Sequence, residues 1–246
     1  MVELTTLNPK SGEPAISHIR GAFARNMHVV TANKGPIAFA YEELREEAER
    51  RGLKFRFEST VMDGAPVFNQ VRNNLPGVRI DGFTGVLNST TKLVIEAMEK
   101  GLSFEDGLAA ARALGVAEAD ASYDIDGWDS AAKTAALANV LLGARTTPER
   151  VERSGIAGVT PAKIAEINGA GKTVRLVSRG SRTESGVALS VRPEEIDRFD
   201  MLASIQGTSN LILLHTREMG TVGTVSISPR VEQTAYGVYI DLMDLI

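Results

Sequence analysis

Apolar and polar positions along the chain alternate in two periods, one helical and one strand-like, and the order in which they occur sets out the elements. VELT (2–5) is a short apolar strand that runs directly into the turn-rich NPKSGEP. Ile16, Ile19 and Phe23 recur at helical spacing and predict a helix over 14–25. HVVTAN (28–33) is a β-branched strand. Strand, helix and strand in this order mark a parallel βαβ unit. After Gly35-Pro36 a helix is predicted to about Arg51, with Glu46–Arg50 and Glu47–Arg51 one turn apart. KFRFES (54–59) alternates as a half-buried strand does, and 79–87 reads as another strand feeding a helix over 90–100.

Further along, Ser103 and Asp106 form a capping box for a helix that ends at Gly115. An acidic loop (117–127) precedes a strongly apolar helix from Trp128 to Leu142. Thr147-Pro148 and Thr160-Pro161 each set a cap residue before a proline at the first helical position. TVRLVS, GVALSV, NLILLH and GTVSIS, all between 173 and 228, are strands, and a helix from about 232 closes the chain. Helices early and strands late predict an α+β fold: a domain of mixed sheet and helices (37–246) preceded by a βαβ remnant of a Rossmann-type nucleotide-binding domain (1–36).

Composition narrows the class. Of the 246 residues 43% are hydrophobic and 24% charged, as in ordinary globular proteins, so the core is large enough to need no staples. There is no cysteine, which excludes disulfides, thiolate catalysis and cysteine-held metals. The net charge of −4, with basic residues scattered, argues against a nucleic-acid partner. No apolar run approaches the roughly 18–20 residues of a membrane span, and the N-terminus has no signal-peptide pattern. A cytoplasmic protein is expected.

Four segments carry polar groups beyond what a fold requires. In Thr31-Ala32-Asn33-Lys34-Gly35-Pro36, a lysine stands at the carboxyl end of a parallel strand, where α/β sheets bind ligands; a solvated loop lysine is the plain alternative. In Glu58-Ser59-Thr60-Val61-Met62-Asp63-Gly64, a strand-end glutamate and an Asp-Gly turn offer oxygens of the kind that hold hard cations, or simply a turn. Gly85-Val86-Leu87-Asn88-Ser89-Thr90-Thr91 leads a strand into a helix whose free amides suit a carboxylate, although capping alone explains these residues. In the fourth, Glu118 to Lys133, acidic residues crowd the approach to a helix, and Asp129 and Lys133 lie one turn apart on an otherwise apolar helix. Such a pair is either a structural ion pair or an active-site pair facing a cavity.

Two apparent motifs fall away. Gly169-Ala-Gly171-Lys172-Thr173 has Glu166 where a phosphate loop needs its first glycine, and a helical rather than strand pattern precedes it. His18, His28 and His215 are too dispersed for ligand spacing.

In order and spacing these segments resemble the homoserine dehydrogenase family over essentially the whole chain. LTTLNPKSGEPAISHIRGAFARNMHVVTANKGP is similar to the end of the family's nucleotide-binding domain. FESTVMDGAPVF is similar to its metal-proximal loop, GVLNSTT to its substrate loop and EADASYDIDGWDSAAK to its catalytic signature. The resemblance implies NAD(P)H-dependent interconversion of L-aspartate 4-semialdehyde and L-homoserine, in a homodimer formed through the sheet. It implies that Lys34 and Lys133 are the two active-site lysines. Thr90, Glu118, Asp124 and Asp129 are implied to hold the substrate, with Thr31, Asn33 and Lys34 beside the cofactor. Glu58 and Val61 fall at the family's sodium site.

The chain departs from the family in three places. These residues contain no G-x-G-x-x-G turn for the cofactor pyrophosphate. Ser228-Pro229-Arg230-Val231-Glu232-Gln233-Thr234-Ala235 stands where many members carry a glycine-rich loop, and Met62-Asp63 replace smaller residues. Weak dinucleotide binding by these residues alone is therefore expected. A second reading follows, a cofactor-free, amino-acid-binding or non-redox homologue that keeps the substrate pocket.

Overall fold

The computed structural model describes residues 1–246. Two sheets organise it. The smaller is parallel, with β1 (Val2–Glu3), β2 (Val29–Thr31) and β3 (Phe55–Arg56) side by side in chain order. Helices α1 (Ala15–Phe23) and α2 (Lys34–Arg50) make the connections, as a parallel pair requires. The predicted strand over 54–59 is cut short. Phe57 leaves the extended region and Glu58–Thr60 form a single tight turn, because the Glu58 side chain is drawn inward to cap a following turn of backbone.

The larger sheet has six strands in the order β5-β7-β6-β4-β8-β9. Its centre is β4 (Ile80–Val86), flanked antiparallel by β6 (Lys172–Thr183) and β8 (Asn210–Thr216). β7 (Gly186–Asp197) and β9 (Gly220–Ser226) extend the two sides, and the two-residue β5 (Glu152–Arg153), absent from the sequence reading, pairs parallel to β7. β6 and β7 run well beyond their apolar stretches. The added residues are partly exposed and continue the β6–β7 ladder, and a diagonal ion pair, Arg179–Glu194 at 2.7 Å, links the two strands.

One face of this sheet is covered by α3 (Ser89–Glu99), α6 (Trp128–Leu137) and α7 (Pro161–Gly169), with α4 (Phe104–Ala113) behind α3. A short helix α5 (Ser122–Ile125) sits within the acidic stretch, and α8 (Val231–Met243) returns to the small sheet. Thr160 caps α7 as its Thr-Pro pattern predicts, whereas Thr147 makes no side-chain cap and Pro148 starts only one tight turn. The predicted helix from Trp128 to Leu142 is α6 continued by a π turn (Ala138–Leu142).

One hydrophobic cluster runs through both sheets, from Ile16, Ile19 and Phe23 on α1 to Phe83, Ile212 and Leu214 on the large sheet. A division at residue 36 therefore falls inside α2, and β3 joins the small sheet from beyond it. A smaller cluster around Val86, Val177 and Leu202 lies where residues 198–209 fold over the other face of the large sheet. No helix is long and apolar enough to cross a membrane.

Candidate active site

The two lysines singled out from the sequence reach the site by different routes. Lys34 is the first residue of α2, immediately beyond the carboxyl end of β2. Its place is set by Asn33, whose carboxamide accepts the Gly35 N–H at 2.9 Å as the helix cap and donates to the Thr5 carbonyl at 3.1 Å. Thr31 lies beneath, fully buried, donating to Glu3 at 2.8 Å and accepting the Asn33 N–H at 3.0 Å. The side chains of Thr31 and Asn33 are thus committed to holding Lys34. A cation at a helix N-terminus opposes the helix dipole, so Lys34 needs a carboxylate partner.

That partner comes from α6. Gly127, at φ 81°, makes the left-handed turn that starts this helix and places Asp129 in its first turn, where the dipole favours an anion. One Asp129 oxygen lies 3.0 Å from Lys34 Nζ and the other 3.1 Å from Lys133 Nζ. Lys133 also donates to the Leu87 carbonyl at 2.7 Å, at the end of β4. An ammonium has three N–H groups. Two of those on Lys133 are engaged, which leaves one to present to a ligand. On Lys34 only the contact with Asp129 is made, and its side chain remains partly exposed.

The remaining polar groups close the arrangement. Asn88, the cap of α3, accepts the Thr91 N–H at 2.8 Å and directs its amide to Asp124 at 2.7 Å and to Asp129 at 2.9 Å. Thr90 donates to the other Asp124 oxygen at 2.8 Å. Asn88 was legible from the sequence only as a cap. Its second role, bridging two carboxylates 36 and 41 residues away, had no local signal.

Electrostatics follow from burial and neighbours. Burial alone would raise the Asp129 carboxyl, but Lys133 and Lys34 together hold it well below the usual carboxylate range. Burial likewise opposes charge on Lys133, and Asp129 more than reverses this, raising the ammonium above its ordinary value. Asp124 is pushed upward, first by burial and then by the neighbouring Asp129 charge. Two ammonium groups and two carboxylates therefore meet in one place with no net charge, a setting for a zwitterionic ligand.

The structure brings Lys34, Lys133, Asp129, Asp124 and Thr90 together. Glu118 it does not: the residue lies on the exposed loop before α5, and its carbonyl, rather than its side chain, is held by Arg112. Asp63, read from the sequence as part of a turn, sits at φ 54° and accepts from Thr234 on α8 at 3.3 Å, and its charge adds to the field on Lys133. Gly64 next to it is required by close approach, since a Cβ there would meet the Gln233 carbonyl at 1.9 Å.

Two further groups were expected from the sequence, a nicotinamide cofactor and a sodium ion. Where the carboxyl ends of β1 and β2 open, Leu4, Thr5, Leu7, Ala32, Asn33 and Lys34 line a cavity of about 150 Å³. Apolar walls ending at Lys34 fit the flat nicotinamide end of a dinucleotide. For a sodium ion the Glu58 carboxylate is already taken, which leaves the backbone oxygens of Glu58 and Val61 as its candidate ligands. Both Glu58 carboxylate oxygens face backbone donors, one accepting from Val67 at 2.6 Å and Phe68 at 2.9 Å and the other from Asn69. Burial raises the Glu58 carboxyl, and the three backbone N–H groups pull it the other way. The chain holds no group of three or more histidine, aspartate or glutamate side chains suited to a metal.

Comparison with known proteins identifies the family. The family model for homoserine dehydrogenase matches residues 66–243. The homoserine dehydrogenase of Methanocaldococcus jannaschii is 37% identical over 246 residues, all of this chain and 72% of that protein. A protein named NAD(+)-dependent homoserine dehydrogenase, from Pseudomonas canavaninivorans, is 35% identical over all of this chain and 70% of its own length. Among solved structures, the homoserine dehydrogenase of Thiobacillus denitrificans superposes with a TM-score of 0.91 at 32% identity, covering 99% of this chain and 56% of that one. With its fold and these relatives in agreement, the chain belongs to the homoserine dehydrogenase family of oxidoreductases.

Proposed function

We propose that the chain carries the substrate-binding and proton-transfer apparatus for the NAD(P)-dependent interconversion of L-aspartate 4-semialdehyde and L-homoserine. The observation that carries this reading is the sharing of Asp129 between Lys34 and Lys133, 3.0 and 3.1 Å away. Spare N–H groups on the two ammoniums surround one substrate oxygen. They stabilise the alkoxide that forms as the aldehyde is reduced, and one of them gives up the proton that makes the alcohol. Asp129 holds the Lys133 ammonium charged until then. Asp124, fixed by Asn88 and Thr90, accepts from the substrate's ammonium or hydroxyl. Glu118, on its exposed loop, reaches the amino end of the substrate from outside the cluster.

The nicotinamide supplies the hydride when bound. Lys34 and the neighbouring cavity walls would hold its ring end, with Thr31 and Asn33 acting through the backbone that they fix. Residues 1–246 include no glycine-rich turn for the pyrophosphate, which supports weak dinucleotide binding by these residues alone. The choice between NAD and NADP lies outside the groups described. The chain acts as a homodimer that uses the outer face of the large sheet. No step is assigned to sodium.

Calorimetry with L-homoserine tests the reading. Binding is expected, and Lys133→Ala and Asp124→Asn should weaken it at least about tenfold. Homoserine-dependent reduction of NAD⁺ or NADP⁺, measured beside Lys133→Ala, tests the redox step. A folded protein that gives no heat with homoserine overturns the reading. Binding without turnover at saturating dinucleotide favours the non-redox homologue.

A further inference from the structure

A cavity of about 310 Å³ opens between α2, β3 and the π turn that continues α6, and it shares no residue with the lysine–carboxylate cluster. Its back wall is aromatic. The Phe57 ring lies 5.4 Å from Tyr41, 5.2 Å from Phe55 and 5.1 Å from Phe68, centroid to centroid. These rings fix one another, so the wall is preformed. The volume falls at the lower end of small-molecule sites, roughly 300–1,000 Å³.

The rim is cationic. Arg45 is already matched by Glu42 at 2.9 Å and Glu49 at 2.6 Å. Arg56 and Arg72 are not, because both turn to a single carboxylate: Asp244 is bound by Arg56 and lies 3.7 Å from Arg72. The other acids nearby are occupied. Glu58 accepts three backbone N–H groups, and Asp241 accepts the Glu58 N–H and the Asn69 amide. Burial first and the Arg56 charge second hold Arg72 below its ordinary value, although three carboxylates pull the other way. Arg56 and Arg72 thus share the one carboxylate that touches them, and each keeps guanidinium N–H groups that no acid meets.

We propose that this cavity is a binding site for a small amphipathic monocarboxylate. Its branched or aromatic body would pack among Phe55, Phe57 and Phe68, and its carboxylate would bridge Arg56 and Arg72. The position of the site adds a consequence. Tyr41 lies about two turns along α2 from Lys34, and Val140 and Leu141 lie about two turns beyond Lys133. Between them Asn139 donates to the Ile37 and Thr146 carbonyls, both at 3.0 Å, beside the kink of α2 at Ala40. An occupant therefore joins the two helices that carry the catalytic lysines.

The probe is 4-methylpentanoate, with 4-methylpentanamide as its uncharged counterpart, titrated into the full chain by calorimetry and saturation-transfer NMR. The acid is expected to bind with a dissociation constant of about 1 mM or tighter, and the amide about tenfold more weakly. Arg72→Gln should remove the preference for the acid. Val71→Trp should abolish both by filling the cavity, and Leu53→Trp does the same from another wall if Val71→Trp fails to fold. Lys133→Met should bind the acid as the unmodified chain does, which separates this site from the amino-acid pocket. Equal affinity for acid and amide, binding that survives a folded filling variant, loss of binding in Lys133→Met, or no binding at about 10 mM overturns the proposal.

Discussion

The ammonium groups of Lys34 and Lys133, 99 residues apart in sequence, are held on opposite oxygens of one buried carboxylate, at 3.0 and 3.1 Å. Neither lysine has another acidic partner at salt-bridge distance. Because Asp129 serves both, the two behave as one unit, and substitutions at either are expected to be non-additive.

Lys34→Met and Lys133→Met should each lower kcat by about 10²–10⁴-fold, the range for losing a positioned proton donor. The double variant should fall little further than the worse single, because either change already breaks the arrangement. Steady-state kinetics with homoserine measure this. Losses that multiply would show two independent residues.

Asn88 caps α3 and bridges two acids, and two substitutions separate these roles. Asn88→Ala removes the cap and should cost about 1–2 kcal/mol in urea melts. Asn88→Asp keeps a cap acceptor but places a third carboxylate against Asp124 and Asp129. It should therefore weaken homoserine binding at least about tenfold while costing less stability than the loss of a cap and a bridge together. Asn88→Asp with unchanged homoserine affinity would show that the bridge has no bearing on the site.

Lys92 is fully buried on α3, donates to the Ser209 carbonyl, and is pushed by burial down to about 7. Above that value the folded chain has released a proton that the unfolded chain still binds, so stability rises with pH toward the ordinary lysine range. The Lys92→Met variant lacks this dependence. The stability of the unmodified chain relative to Lys92→Met should therefore improve by about 2 kcal/mol between roughly pH 7 and pH 9. Parallel unfolding curves across that window would contradict it.

Glu118 is exposed and makes no contact with the cluster, so Glu118→Gln should change stability by less than about 0.5 kcal/mol. If its loop closes over the amino end of the substrate, KM for homoserine should rise about tenfold or more while kcat changes less. An unchanged KM removes Glu118 from the site.

Much of this protein was legible in the sequence because local patterns carry local causes. The βαβ order of β1, α1 and β2, the capping box at Ser103 and Asp106 and the apolar α6 follow from periodicity and capping chemistry within a few residues of each position. The candidate lysines and acids stood out for the same reason, as polar groups at strand ends and on an apolar helix. Other features belonged to the tertiary structure alone. β6 and β7 extend through charged residues because each supplies the other's hydrogen bonds and cross-strand partners. Glu58 sits beside a candidate metal loop in sequence, yet in three dimensions its carboxylate is filled by the N–H groups of Val67, Phe68 and Asn69. Asn88 reads as a cap until folding brings Asp124 and Asp129 to its amide. A side chain has one local neighbourhood but several reachable partners, and only packing decides which of them exclude water and take the bond. The residue types and their spacing determined what chemistry was available, and the approach of β4, α2 and α6 decided that Lys34, Asp129 and Lys133 would meet.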